Sequence, residues 1–135
     1  MAELDAEPAI NDRTFSLLRA EIHDDKACAT FVQMYLDLLP GRLSELTHAL
    51  SNGDVRPWEA AMNLASTSRM LGALPLARHL ERLSHDSILT ESPEAMRVYL
   101  RQLFELVKLV QPALRRRVRA LTAPGDIGDS LGRSR

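Results

Sequence analysis

Residues 60–73 read Ala-Ala-Met-Asn-Leu-Ala-Ser-Thr-Ser-Arg-Met-Leu-Gly-Ala, and the rest of the chain is best understood from this stretch. Small and apolar side chains recur in it every three or four residues, which is the period of an α-helix. Gly72-Ala73 predicts the end of that helix or a bend in it. The face predicted to point inward carries Ala61, Leu64, Ser68 and Leu71.

Two helices are predicted before this stretch. A short one is capped by Asn11 or Asp12, and a longer one runs from Asp24 or Asp25 to about Leu50. Asn and Asp suit these positions because their side chains accept hydrogen bonds from the free amides of a first helical turn. The side chains predicted to face the core are Phe15, Leu18, Ile22, Val32, Tyr35, Leu36, Leu39, Leu43, Leu46 and Leu50.

Two signals interrupt this part of the pattern. Pro40 falls inside the longer helix and predicts a bend, because proline donates no backbone hydrogen bond. Ser51-Asn52-Gly53-Asp54 predicts a stop and a turn. Asp54 is then a candidate cap for the helix that holds residues 60–73, with Pro57 in its first turn.

Two more helices are predicted after Gly72. The first has Leu76, Ala77, Leu80 and Leu83 facing inward. Ser92-Pro93-Glu94 opens the last helix, since a serine cap followed by proline is typical of a helix start. Pro112 predicts a kink in this helix or an early end. Its inward stripe is Met96, Leu100, Leu103, Val107, Val110 and Leu114.

No segment shows the strict alternation of a half-buried β-strand. Helices joined by short links predict an all-α fold, an antiparallel up-and-down four-helix bundle with a short extra N-terminal helix. A chain of 135 residues is expected to form one domain. We divide it into a flexible acidic leader (1–10), the helical bundle (11–122) and a flexible tail (123–135).

The composition is that of an ordinary globular protein, 45% hydrophobic and 26% charged, with a net charge of −1. This balance argues against nonspecific nucleic-acid binding. Cys28 is the single cysteine, so no internal disulfide forms, and no pair of residues has zinc-ligand spacing. Neither a secretory signal nor a run of about 18 apolar residues is legible, so we predict a cytoplasmic protein.

The stretch quoted above resembles the signature of histidine phosphotransfer (HPt) domains, which runs Ala-His-x-Leu-Lys-Gly-Ser-x-x-x-Leu-Gly-Ala. Counting back from Leu71-Gly72-Ala73 puts the family's phosphorylated histidine at Met62. A thioether has no nitrogen nucleophile and forms no phosphoramidate. The resemblance therefore implies a pseudo-HPt protein, with the scaffold of a phosphorelay component and no phosphorylatable side chain.

The resemblance extends over roughly residues 12–110. The family usually has a helix with an aromatic pair and a proline, followed by an alanine-rich segment that ends in Gly-Asp. The resemblance implies the same four-helix bundle that the helical period predicts. The matching positions are Phe31, Tyr35, Pro40, Ala49-Leu50, Gly53-Asp54, Ala60-Ala61, Leu64, Thr67-Ser68, Leu71-Gly72-Ala73 and Leu76.

The departures from the family pattern fall on the positions that carry its chemistry. Ala65 stands where the family commonly has a lysine that faces the phosphoryl oxygens, and Ser66 stands where glycine leaves room for the partner's aspartate. In the family, an exposed imidazole attacks the aspartyl phosphate of a receiver domain, and the receiver supplies magnesium and most of the charge stabilisation. Without the imidazole at Met62, the resemblance leaves docking as the remaining activity.

The docking surface that the resemblance implies lies on the second and third helices. Met62, Ala65, Ser66 and Arg69 recur at helical spacing and are predicted to share one exposed face. On the second helix, Phe31, Met34 and Leu38 form an apolar line outside the core stripe and are followed by Arg42. The predicted partner-binding residues are Met62, Ala65, Ser66, Arg69, Met34, Leu38 and Arg42, and the implied partner is a response-regulator receiver domain.

Other interpretations of these residues stay open at this point. Met62, Met34 and Leu38 are also compatible with a wide core stripe. His79 is the candidate for a relocated phosphohistidine in an active phosphotransfer protein. The line of Phe31, Met34 and Leu38 is equally compatible with a helical dimerisation module unrelated to receivers.

Arg115-Arg116-Arg117 and Arg119 form a basic run that is predicted to be a solvated helix end, favoured by the helix dipole, and contact with nucleic acid or an acidic membrane is the weaker alternative. We expect no cofactor, no metal, no nucleic acid and no membrane among the partners, and a monomer or weak homodimer. No nucleophile–base pair, metal-ligand set or phosphate loop is legible, so the chain is not expected to be an enzyme.

Overall fold

The computed structural model describes residues 7–52 and 57–123. The described ranges contain helices and no strand, so the all-α prediction is confirmed. A 3₁₀ turn, Arg82–Ser84, follows the fourth helix. The helices in chain order are α1 (Asp12–Ile22), α2 (Asp25–Ser51), α3 (Pro57–Met70), α4 (Leu74–Glu81), α5 (Ile88–Glu91) and α6 (Pro93–Thr122).

Four of these helices form the bundle. Helix α2 packs against α3 and α6, and α4 packs against the same two helices from the other side. Helices α3 and α6 therefore lie across the diagonal of the bundle. The short α1 packs on α2 and α3, as the predicted extra N-terminal helix. None of the described helices is long and apolar enough to span a membrane.

The core is built from the inward stripes that the helical period predicts. Each buried aliphatic or aromatic side chain stabilises the fold by about 1.5–3 kcal/mol relative to its exposed state. Leu83, Met96 and Leu100 are only half-buried and lie at the edge of this core. The largest fully buried side chains are Val32, Leu39, Leu71, Leu76, Leu80, Tyr99, Leu103, Val110 and Leu114.

The helix starts have the caps that the sequence predicts. Asn11 Oδ1 accepts a hydrogen bond from the Thr14 amide at 2.9 Å, and Ser92 Oγ accepts one from the Ala95 amide at 3.1 Å. Asp24, rather than Asp25, caps α2 through the amides of its first turn. The predicted cap at Asp54 lies outside the described residues.

Both internal prolines are accommodated within continuous helices. Helix α2 passes through Pro40, and α6 passes through Pro112 to Thr122, so the early end predicted at Pro112 does not occur. Proline removes one backbone donor. At Pro112 the flanking side chains Val110 and Leu114 are almost completely buried, and this packing holds the helix on both sides of the proline.

The packed region begins earlier than predicted. Ile10 is 3% exposed and belongs to the core, so the prediction of a loose leader is wrong for this residue. The Asn11 amide beside it donates a hydrogen bond of 2.7 Å to the carbonyl oxygen of Gly72. Residues 1–6 and 124–135, which make up most of the predicted leader and tail, lie outside the described ranges.

Gly72 forms the turn between α3 and α4. Its φ is +90°, a region that L-residues with a side chain rarely occupy. A Cβ atom at this position would lie 2.7 Å from the carbonyl oxygen of Asn11. The glycine therefore permits both the turn after α3 and the close approach of the chain that enters α1.

We expect Gly72→Ala to lower the free energy of unfolding by about 1–3 kcal/mol, because it forces a strained backbone and a contact with Asn11. Gly41→Ala is the matched control, since an added Cβ at that exposed position in α2 meets no atom within 4 Å. Removing a helical glycine should stabilise the protein by about 0.5–1 kcal/mol. Urea unfolding measures both; similar effects of the two substitutions would contradict the role of Gly72.

Candidate functional site

The outward face of α3 carries the position that the HPt resemblance assigns to the phosphorylated histidine. Met62 is half-buried, and Ser66, one turn later, is exposed. Met62 is thus not one of the fully buried side chains of the core. The thioether lies at the border between the surface and the packed interior.

Ala65 is a correction to the predicted docking face. Its side chain is 0% exposed and belongs to the core. It lies four residues after Ala61 and three before Ser68, both also fully buried, and this spacing puts the three on one side of the helix. A partner that approaches the outward face of α3 therefore meets Met62 and Ser66 but not Ala65.

Arg69 is exposed, but its guanidinium is bound within the molecule. Its Nη2 lies 2.7 Å from Glu81 Oε1 and its Nε lies 3.1 Å from Glu81 Oε2. This two-point contact joins α3 to the end of α4. Because exposed ion pairs contribute at most about 1 kcal/mol, an incoming carboxylate can compete with Glu81 for Arg69.

A groove of about 200 Å³ runs between α2 and α3. Met34 is 57% exposed and Leu38 is 48% exposed, so neither is a core residue and the core interpretation of these two side chains is wrong. The predicted residue Arg42 also lines the groove. The complete lining is Phe31, Met34, Tyr35, Leu38, Arg42, Leu64 and Thr67.

Thr67 and Leu64 were not predicted as site residues, and they come from the second wall of the groove. The period of a single helix shows which residues share a face, but it does not show how two helices sit beside each other. The signal available in the sequence is that Thr67 lies between the inward and outward faces of α3.

The predicted surface is divided by α3 into two parts. Thr67 faces α2 and lines the groove, whereas Arg69 faces α4 through its contact with Glu81. Ser66 is exposed on α3 between these two sides. The structure thus brings Met34, Leu38 and Arg42 together in the groove, and it does not bring Arg69 into that groove.

A buried hydrogen bond joins the two helices beneath the groove. The hydroxyl oxygens of Tyr35 and Ser68 lie 2.7 Å apart, and the Ser68 side chain is 0% exposed. Burial raises the pKa of Tyr35 to about 12, although the hydrogen bond from Ser68 opposes part of that effect. The phenol therefore remains neutral at physiological pH and fixes α2 against α3.

His79 is held inside the bundle. It is 7% exposed, and its Nε2 donates a hydrogen bond of 2.9 Å to the carbonyl oxygen of Tyr99. The imidazole stacks on the Tyr99 ring at a centroid distance of 4.1 Å, and the Tyr99 hydroxyl donates to the carbonyl oxygen of His79 at 2.8 Å. The Nε2 nitrogen is thus committed to a structural hydrogen bond.

Cys28 is completely buried, and burial raises the pKa of its thiol. Across residues 7–52 and 57–123, no three His, Cys, Asp or Glu side chains are close enough together to hold a metal ion. The site is therefore a shaped surface with an apolar groove.

His79 makes stability depend on pH. Burial is the main cause that lowers its pKa below the ordinary 6.5, so the unfolded chain takes up a proton at a higher pH than the folded one. The free energy of unfolding should therefore fall as the pH is lowered below about 6.5. His79→Gln should flatten this fall in urea titrations from pH 8 to about pH 5. His48→Gln, which removes an exposed imidazole, is the control. If it flattens the fall in the free energy of unfolding equally, His79 is not the source of that fall.

Comparisons with known proteins support the fold. No family model matches the chain, and no curated protein matches it. Among solved structures it is similar to histidine-containing phosphotransfer protein B from Pseudomonas aeruginosa PAO1, with a TM-score of 0.72 and 20% sequence identity. The similarity covers 85% of this chain and 98% of that protein. The helical bundle described above is thus the fold of an HPt protein.

Proposed function

We propose that this chain is a noncatalytic, HPt-like signalling protein that docks a response-regulator receiver domain and modulates a phosphorelay without carrying phosphate. The observation that carries the proposal is Met62. It occupies the signature histidine position on the outward face of α3, within a bundle that has the fold of a phosphotransfer protein.

The chemistry at this position supports a role without phosphate transfer. A phosphohistidine intermediate requires a ring nitrogen with a free lone pair, and the Met62 side chain has none. The four histidines of the chain are His23, His48, His79 and His85, and none of them lies on α3. His79, the one considered as a substitute, is buried against Tyr99. We therefore propose that the protein is not an enzyme.

The groove beside α3 supports a docking role. Met34 and Leu38 expose about half of their surface at its rim, and a flexible thioether adapts its shape to a partner. Arg42 adds a positive charge at the same rim. An apolar patch with a cation beside it complements a receiver, whose phosphorylation site is acidic.

Docking without transfer has two functional consequences. A protein that occupies the receiver surface excludes an active phosphotransfer partner and so inhibits the relay. A protein that binds the receiver and a second component serves as an adaptor. Both outcomes rest on the same surface of α2 and α3, and neither requires a nucleophile.

The absence of transfer is testable with a receiver carrying labelled aspartyl phosphate. The wild-type chain should acquire no acid-labile label. Met62→His/Ser66→Gly restores the nucleophile and removes the side chain that crowds it, so we expect label to appear on this variant. Label on the wild-type chain would contradict the proposal, and a receiver-binding variant that stays unlabelled would show that α3 is not presented as in active phosphotransfer proteins.

Docking is testable by calorimetric titration of the cognate receiver. Leu38→Asp puts a charge into the groove and should weaken binding by at least about tenfold. Leu109→Asp is the matched control, since Leu109 is 59% exposed on α6, across the bundle diagonal from α3. Equal weakening by both would argue against the groove. Sedimentation decides the dimerisation alternative: a stable dimer that Leu38→Asp dissociates would favour an interaction module unrelated to receivers.

A further inference from the structure

The outward face of α6 carries a continuous row of cations. The members of the row recur at intervals of four and seven residues, which keeps them within about 40° of each other around the helix axis. The row spans about 33 Å at the rise of an α-helix. Its members, all exposed, are Arg97, Arg101, Lys108, Arg115 and Arg119.

Most of this charge is not neutralised locally. Arg97 pairs with Glu94 at 2.9 Å, whereas the other four cations of the row form no ion pair with any residue in the described ranges. By contrast, Arg117, on another side of α6, pairs with Asp12 and lies over the Phe15 ring at 5.4 Å from its centroid. The row is therefore an available surface charge, distinct from the arginine that ties α6 to α1.

The charge of the whole chain is segregated onto this helix. Helix α6 holds seven of the seventeen Lys and Arg residues and two of the eighteen Asp and Glu residues, so its net charge is +5. The rest of the chain carries −6, and the total of −1 hides this division. A molecule with such a division has a strong electrostatic orientation toward an anionic surface.

We propose that the exposed face of α6 binds an anionic phospholipid surface. Clusters of four to eight Lys and Arg residues on one helix face are the usual mode of attraction to acidic headgroups. Four of the five cations in the row are arginines, whose planar guanidinium binds phosphate oxygens at two points. The contact is peripheral, since none of the described helices is apolar enough to enter the bilayer as a span.

The apolar side chains next to the row suit a headgroup layer. Phe104 lies in line with the cations and is 45% exposed, and Leu109 follows Lys108 with 59% exposed. Aromatic and aliphatic side chains at such a position enter the boundary between headgroups and acyl chains. Two carboxylates of α6, Glu94 and Glu105, lie beside the row, and the net charge of the helix remains +5 with both included.

The confinement of the row to one helix face favours a planar partner over a nucleic-acid duplex. A duplex completes one turn in about 34 Å, so a phosphate strand winds away from a row of that length on one helix face. A bilayer presents anionic groups to every cation of the row at once. The face of α6 also lies across the diagonal from α3, so contact with lipid leaves the groove beside α3 accessible.

This proposal departs from the sequence-based expectation of no membrane partner and favours the alternative of an acidic-membrane contact over a solvated helix end for residues 115–119. One continuous helix aligns this basic run with Arg97, Arg101 and Lys108, and the aligned cations form the row. The expected end of the helix at Pro112 would have separated the two groups.

The test is sedimentation of the full chain with vesicles of phosphatidylcholine, with or without about one third phosphatidylglycerol. We expect binding to the anionic vesicles alone, and a loss of at least about tenfold when the salt is raised to about 0.5 M. Lys108→Glu should weaken binding by about tenfold, because each cation near an anionic surface contributes about fivefold and the substitution also adds a repulsive charge.

Lys26→Glu is the matched control, since Lys26 and Lys108 are the two lysines of the chain, both exposed on helices, and Lys26 lies on α2 outside the row. It should change binding by less than about twofold. Circular dichroism melting checks that both variants fold. Equal binding to neutral vesicles, equal loss in the two variants, or tighter binding to duplex DNA or RNA oligonucleotides in the same buffer would each overturn the proposal.

Discussion

The rotation of α3 about its own axis is the constraint on which the rest of this site depends. Ala61, Ala65 and Ser68 are all completely buried, and their small size lets α3 lie close to its neighbours. The hydrogen bond between Ser68 and Tyr35 then fixes that rotation against α2. With this face turned inward, Met62 lies at the border of the bundle and Ser66 lies on its outside.

The same constraint separates binding from chemistry. The packing of α3 depends on buried side chains and on Gly72, and Met62 is not among them. The side chain at position 62 can therefore change without disturbing the inward face. His79 shows the opposite situation, because its imidazole stacks on Tyr99 and donates a hydrogen bond that helps to hold α4 against α6. Its side chain therefore contributes to the packing of α4 against α6.

The bundle also separates two kinds of surface. The groove beside α3 is apolar with Arg42 at its rim, whereas the outward face of α6 is strongly basic. Because α3 and α6 lie on the bundle diagonal, partners at the two surfaces do not compete for space. The two proposed contacts, with a receiver and with an anionic surface, therefore use different sides of the bundle.

Local sequence determined the helices and their caps at Asn11, Asp24 and Ser92, since helical period and capping act within a few residues. Only the tertiary structure decided the burial of Ile10 and Ala65, which depends on which elements cover them. The tertiary structure alone likewise decided the groove, the contact between His79 and Tyr99 and the alignment of the cations on α6. Each requires groups far apart in the chain to meet, or a helix to continue through Pro112, and these outcomes depend on packing between helices that no single segment encodes.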